Sequence, residues 1–264
     1  MRIDLSPELK CNDATLLHVQ WEVQLNTTKE ITSAARSASP TAWSSFLESI
    51  PMAQGPLAAT SLMTAKTFSM GVNQRAFGLS MMAASYLMNG PFDTMEALAQ
   101  SAFELAKETI PQLSDNDEFW ACFQTLANSG QAWITSLQKQ GHHEESLDLA
   151  AVVIPEIQTV WHNPRTASEP GAGIQVIHSI RDALYGMQIG VLESCLELHQ
   201  MEAAKQALEQ IREEELNPVL ATTLRSARMR YERLRGSAMT DSTPGLEDAL
   251  ALMRDFIEAV RDRS

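Results

Sequence analysis

Apolar side chains return along this chain at intervals of three and four residues, and turn residues cut the pattern into segments of helical length. The first segment runs from about Asp13 to Ser37 around Leu16, Leu17, Val19, Trp21, Val23 and Ile31, and the Ser-Ala-Ser-Pro run ending at Pro40 stops it. A shorter helix from about Thr41 to Ile50 follows, closed by Pro51. The stretch from Gly55 to Asn89 is rich in Ala and Met and poor in charge, which predicts helices wrapped by others on several sides and the most buried part of the chain. Gly90-Pro91 breaks the pattern, Asp93 or Thr94 offers a cap, and a helix runs to about Ile110.

Ser114-Asp115-Asn116-Asp117 is an N-cap cluster, and it opens a long helix carrying Phe119, Trp120, Phe123, Leu126, Trp133 and Leu137 that ends at Gly141. A return helix starts near His143, and Pro155 predicts a kink or an end late within it, because proline inside a helix costs ~3 kcal/mol. Residues Asn163 to Gly173, with Pro164, Pro170, Gly171 and Gly173, read as a linker. A long helix then runs to about His199, an answering one covers Glu202 to Glu215, Pro218 opens a helix that Gly236 closes, and a last helix spans about Gly245 to Asp262.

Composition agrees with the periodicity. Hydrophobic residues make up 44% of the 264 and aromatics only 6%, so Ala, Leu and Met carry the apolar load, and these unbranched side chains favour helix. No alternating β-branched run bounded by Asn-Gly or Asp-Gly seeds a hairpin, and the chain reads as all-α. A formal net charge of −13 argues against a nucleic-acid or anionic-membrane binder, since phosphate affinity comes mainly from Lys and Arg. The start lacks an apolar signal region and no stretch approaches the ~20 apolar residues of a spanning helix. Cys11, Cys122 and Cys195 lie far apart without C-x-x-C spacing, which fits reduced thiols in a cytoplasmic protein.

The central unit places Trp133 and Leu137 on the packing face of one helix, Gly141 in the turn, and Ser146, Ala150 and Val153 at small positions of the next. In this it resembles a degenerate tetratricopeptide repeat, in which small residues let paired helices approach closely and stack. A second unit fits through Leu79, Met82, Ala83 and Tyr86, Gly90, then Met95, Ala99 and Ala102; a third fits only in its second helix, through Ala204, Leu208 and Ile211. Ala249, Met253 and Phe256 mark a fourth half-unit or cap. The resemblance covers roughly residues 72–262, at intervals larger and less regular than the family's ~34 residues. It implies antiparallel helix hairpins stacked as a solenoid. The expected organisation is an N-terminal helical segment over 1–70 packing on the repeats, repeats over 71–162, a linker over 163–173, and C-terminal repeats with a capping helix over 174–264. A helical bundle that merely contains such hairpins is the alternative.

If that register holds, Asn128, Gln131, Thr135 and Gln138 line up at helical spacing toward the concave groove with which such repeats hold peptides. Their amides and hydroxyl can pair with a peptide backbone in either orientation, and the same stripe also fits an ordinary solvated face. The corresponding positions Phe77, Ser80, Ala84 and Leu87 are largely apolar, as are Gly186, Ile189 and Leu196 beside Glu193, so the groove suits an amphipathic or apolar-anchored peptide better than an acidic tail. Arg225, Arg228 and Arg235 share one side of a helix and fit either a clamp for carboxylate or phosphate or internal pairing with Glu213, Glu214, Glu215, Glu247 and Asp248.

The remaining motifs carry no chemistry. His142-His143-Glu144-Glu145 are consecutive, so their side chains diverge and do not enclose a metal. His18 and Glu22 form a single four-residue pair, Gly171-Ala172-Gly173 lacks the third glycine of a dinucleotide fingerprint, and neither a phosphate-binding G-x-x-x-x-G-K-[ST] loop nor a G-x-S-x-G elbow occurs. The expectation is therefore a non-enzymatic, cofactor-free interaction module, a scaffold or adaptor, holding a peptide or partner domain in a helical groove. The rival expectation is an α-helical enzyme or small-ligand bundle with an apolar pocket in the Met-rich segment from Leu62 to Met88, since methionine makes adaptable apolar surfaces.

Overall fold

The computed structural model describes residues 27–51, 56–167, 171 and 173–237, and these form ten α-helices and no strand. They are α1 (27–37), α2 (Pro40–Ser49), α3 (Pro56–Thr67), α4 (Val72–Ser85), α5 (Phe92–Thr109), α6 (Asn116–Lys139), α7 (His143–Trp161), α8 (Ile174–Glu197), α9 (Met201–Gln210) and α10 (Pro218–Ser237). The first part of the 13–37 segment, Cys11, His18, Glu22, Glu247, Asp248 and the helix expected over 245–262 lie outside the described residues.

Local chemistry sets most boundaries. Ser39 caps α2 by accepting from the Ala42 amide, with Pro40 in the first turn where its missing N–H costs nothing. Asp115 accepts from the amides of Asp117 and Glu118, each at 2.9 Å, and starts α6 where the polar cluster predicts. Gly141, at φ +80°, ends it: the His142 amide donates to the Leu137 carbonyl and the Gly141 amide to that of Gln138, so the last carbonyls are satisfied and α7 turns back at once. The α8–α9 turn repeats this pattern with Gln200 donating to Cys195 and His199 to Leu196. There the left-handed position, φ 55°, is held by His199 rather than by glycine.

Four expectations need correction. α5 begins at Phe92 with Pro91 in the capping position and no side-chain cap, so neither Asp93 nor Thr94 fills that place; the Asp93 carboxylate accepts instead from the adjacent Thr94 amide. Of the kink or end expected at Pro155, the end does not occur: α7 continues to Trp161. Pro155 and Ala151, whose carbonyl loses its partner, are both exposed, so that group faces solvent while Val153 and Ile157 anchor the opposite face in the core. α9 stops at Gln210, after which Ile211 is extended and buried and Glu213–Glu215 form a single 3-10 turn. Finally, the Met-rich stretch is not the deepest. Met63, Met70 and Met88 are 64%, 75% and 81% exposed, whereas Met95, Leu98, Ala102 and Leu105 of α5 are fully buried. Low charge in a sequence reports weak hydration, not the number of neighbouring helices.

The helices pack as successive pairs. α4 pairs with α5, α6 with α7 and α8 with α9, and the first helices also touch in sequence, α4 with α6, α6 with α8 and α8 with α10, giving a row α4, α6, α8, α10. Each second helix touches its own partner and the following first helix, through the contacts α5 with α6, α7 with α8, and α9 with α10. The core divides accordingly into three consecutive clusters, centred on Trp43, Leu79 and Leu98, on Phe123, Leu126 and Ile180, and on Leu192, Leu196 and Leu224. Trp133 packs against the first two and joins them. At one end, buried Arg75 of α4 donates to the carbonyls of Ser69 and Ala35 at 2.8 Å and lies over Trp43, tying α1 and α2 to the row. Burial lowers its pKa, yet it stays a cation whose charge is met by carbonyl dipoles and a ring face.

Candidate functional site

Along the row of first helices, α6 and α8 lean together through small residues and amides. A Cβ on Gly186 of α8 would stand 2.0 Å from the Gln131 amide nitrogen, so only glycine lets this glutamine lie across α8. Asn128 reaches toward the Ser179 hydroxyl at 3.5 Å. Gln138 donates to the Gly190 carbonyl at 2.6 Å and to the Ser194 hydroxyl at 2.9 Å. Ser194 is fully buried and also meets Ser146 at 3.3 Å and His143 Nδ1 at 3.5 Å, a polar knot joining α6, α7 and α8. Of the four stripe residues, Gln138 is thus occupied by α8 and Thr135 is half-buried, while Asn128 and Gln131 reach an opening.

That opening is a cleft of about 440 Å³ between α6, α8 and the start of α10, a size within the ~300–1,000 Å³ of ligand clefts. From α8 it takes Gln175, His178, Ser179 and Asp182, spaced at three and four residues and hence on one face, above a floor at Ala183. From α10 it takes Asn217, Val219 and Leu220. The Asn217 side-chain oxygen Oδ1 accepts from the amides of Val219 and Leu220 at 3.0 Å, so the residue that caps α10 also forms the cleft wall. His178 Nδ1 lies 2.8 Å from Arg181 Nη2. A guanidinium only donates, so Nδ1 is the acceptor and the imidazole proton sits on Nε2. Asp182 has no hydrogen-bond or ion-pair partner among the described residues.

No family model, curated protein or solved structure matches the chain. The chemistry of the site therefore rests on its own geometry. Among the described residues no group of three or more His, Cys, Asp or Glu side chains is placed to hold a metal, and no helix is long and apolar enough to cross a membrane. Cys122 and Cys195 are both buried, and burial pushes the Cys122 thiol up to about 12.

The arginine helix is largely engaged with neighbours. Arg225 and Arg228 meet the two carboxylate oxygens of Glu213 at 3.2 and 2.8 Å, Arg230 donates to Glu197 at 2.6 Å, and Arg235 lies 3.6 Å from Glu232. The hydrogen bond from Arg225, seconded by Arg228, holds the Glu213 carboxyl below its ordinary range against the upward push of burial. Nearby, Tyr185 donates to Glu215 at 2.6 Å, and burial with that bond raises its phenol to about 12.

Gln175, His178, Ser179, Asp182 and Asn217 do not stand out along the chain, because the stripe on α6 suggests a register that points at Gly186, Ile189 and Leu196 on α8. In the fold Ile189 and Leu196 are core residues, and the open face of α8 lies a full turn or more nearer its start. The available signal is the recurrence of polar residues at 175, 178, 179 and 182, followed by the Asn217-Pro218 helix start.

Proposed function

We propose that this chain is a non-enzymatic, cofactor-free interaction module of the cytoplasm, a tetratricopeptide-like solenoid that holds an extended peptide of a partner protein across the row of first helices. The observation that carries the reading is the polar cleft: it draws side chains from α6 and α8, the first helices of two successive pairs, and from the start of α10, which continues their row, as a stacked-hairpin groove does. Asn128, Gln131 and Gln175 offer amides that serve either direction of a peptide backbone, and Ala183, Val219 and Leu220 supply an apolar footing. Two buried thiols, Cys122 and Cys195, suit a reducing compartment.

Selection of a displayed random-peptide library on the full chain tests this. Peptides should be recovered, and adding one to labelled protein should shift the side-chain amide signals of Asn128, Gln131 and Gln175 before those of Gln138, whose amide is already held by α8. Recovery of no peptide, or shifts confined to another face, contradicts the proposal.

A further inference from the structure

We infer that the cleft selects a positively charged side chain, lysine or arginine, from the bound peptide, with the Asp182 carboxylate as its ionic anchor; this rests on the peptide-groove reading above. Asp182 is the single formally charged residue in the lining, and it is half-buried without a partner among the described residues. Several carboxylates around α10 are already engaged: Glu213 with Arg225 and Arg228, Glu215 with Tyr185 and Arg212, Glu197 with Arg230 and Glu232 with Arg235. A carboxylate unpaired beside amide groups in a concave site is free to accept hydrogen bonds from a cationic head group.

Arg181, next to Asp182 in sequence, forms no ion pair with it and directs one guanidinium nitrogen to His178 instead. The bond to Arg181 occupies His178 Nδ1 and leaves that ring a donor only, so within the cleft Asp182 is the one anionic acceptor, beside the neutral amide oxygens of Asn128, Gln131 and Gln175 and the Ser179 hydroxyl. Acceptors grouped around one anion suit an ammonium or guanidinium, whose hydrogens all donate. The net charge of −13 adds a long-range field of the same sense, drawing basic segments and repelling acidic ones. Val219 and Leu220 meet the aliphatic stem of such a side chain, while its head reaches Asp182.

The test uses three acetylated, amidated pentapeptides of the form Gly-Ser-X-Ser-Gly, with arginine, citrulline or glutamate at X, titrated into the labelled full chain at low salt and followed through the cleft side-chain amides. Citrulline keeps the shape of arginine and removes its charge. The arginine peptide should bind about fivefold more tightly than the citrulline one, the size of a single exposed ion pair, and the glutamate peptide more weakly still. Asp182→Asn should erase the preference for arginine over citrulline, and Asp182→Glu should retain it, with the backbone spectrum of each variant as the check on folding. Equal binding of all three peptides, or an arginine preference that survives Asp182→Asn, overturns the ionic anchor and leaves the groove reading standing. Absence of shifts from every one of the three overturns the anchor as well; the library selection separately decides whether the groove holds peptides.

Discussion

At the scale of single residues, His199 carries the clearest strain. It occupies the left-handed region at φ 55° in a turn whose counterpart, after α6, uses Gly141 at φ +80°. A side chain there crowds its own backbone, so His199→Gly should raise stability by about 0.5–1 kcal/mol, part of the relief being lost to the larger freedom of glycine in the unfolded chain. Thermal unfolding checks this, and a lower midpoint in the variant would mean that the imidazole makes a contact worth more than the strain.

Glu213 gives a second residue-level expectation, in pH. Its folded-state pKa is depressed by the bonds from Arg225 and Arg228, so the pairing contributes fully above the ordinary carboxylate value of about 4.3 and is lost as pH falls through the lowered folded value. Exposed pairs are worth ~0.2–1 kcal/mol each. Changing Arg225 and Arg228 together to Ala should therefore lower the denaturation midpoint at pH 7 by that order, and the difference from the parent should shrink at pH 3. A deficit equally large at pH 3 would assign the loss to the arginine stems rather than to their charge.

At the scale of helices, pairs are held by small residues that let backbones approach. Ala150 on α7 is buried within the second core cluster, and Ala150→Trp should cost ~1–3 kcal/mol by overpacking it. An unchanged midpoint would show that α6 and α7 do not meet there. Much at this scale was legible before any fold was known: Asp115 and Asn116 at the start of α6, Gly141 at its end, the return at His143, and the long helices α6 and α8. Such signals are local chemistry, in which a capping carboxylate or a glycine in a left-handed turn acts on backbone groups within a few residues. The α8–α9 turn falls at the break expected between His199 and Glu202 even though His199 does without glycine, and Pro155 does not end α7 because the carbonyl it frees lies on the exposed face. The Met-rich stretch misled. Burial depends on neighbours that are distant in sequence, and α3 and α4 leave Met63, Met70 and Met88 at the surface.

At the scale of the whole molecule, the all-α class followed from periodicity and composition together, whereas the cleft did not. Its walls come from residues 128 and 131, from 175 to 183 and from 217 to 220, and no local pattern relates stretches that far apart. Only the side-by-side placement of α6, α8 and α10 brings them to one opening. Of the stripe on α6, Asn128 and Gln131 line the cleft, whereas Gln138 fastens α6 to α8 through Gly190 and Ser194.

The central claim, that this cleft holds peptides, is tested most directly by filling it. Ser179 is half-buried in the lining, and a tryptophan there projects into the opening without entering the core clusters. Calorimetric titration of one library-selected peptide into the parent chain and into Ser179→Trp compares the two. The account predicts at least about a tenfold loss of affinity, roughly 1.4 kcal/mol, with the melting temperature retained. Equal affinity in a folded Ser179→Trp variant would contradict it.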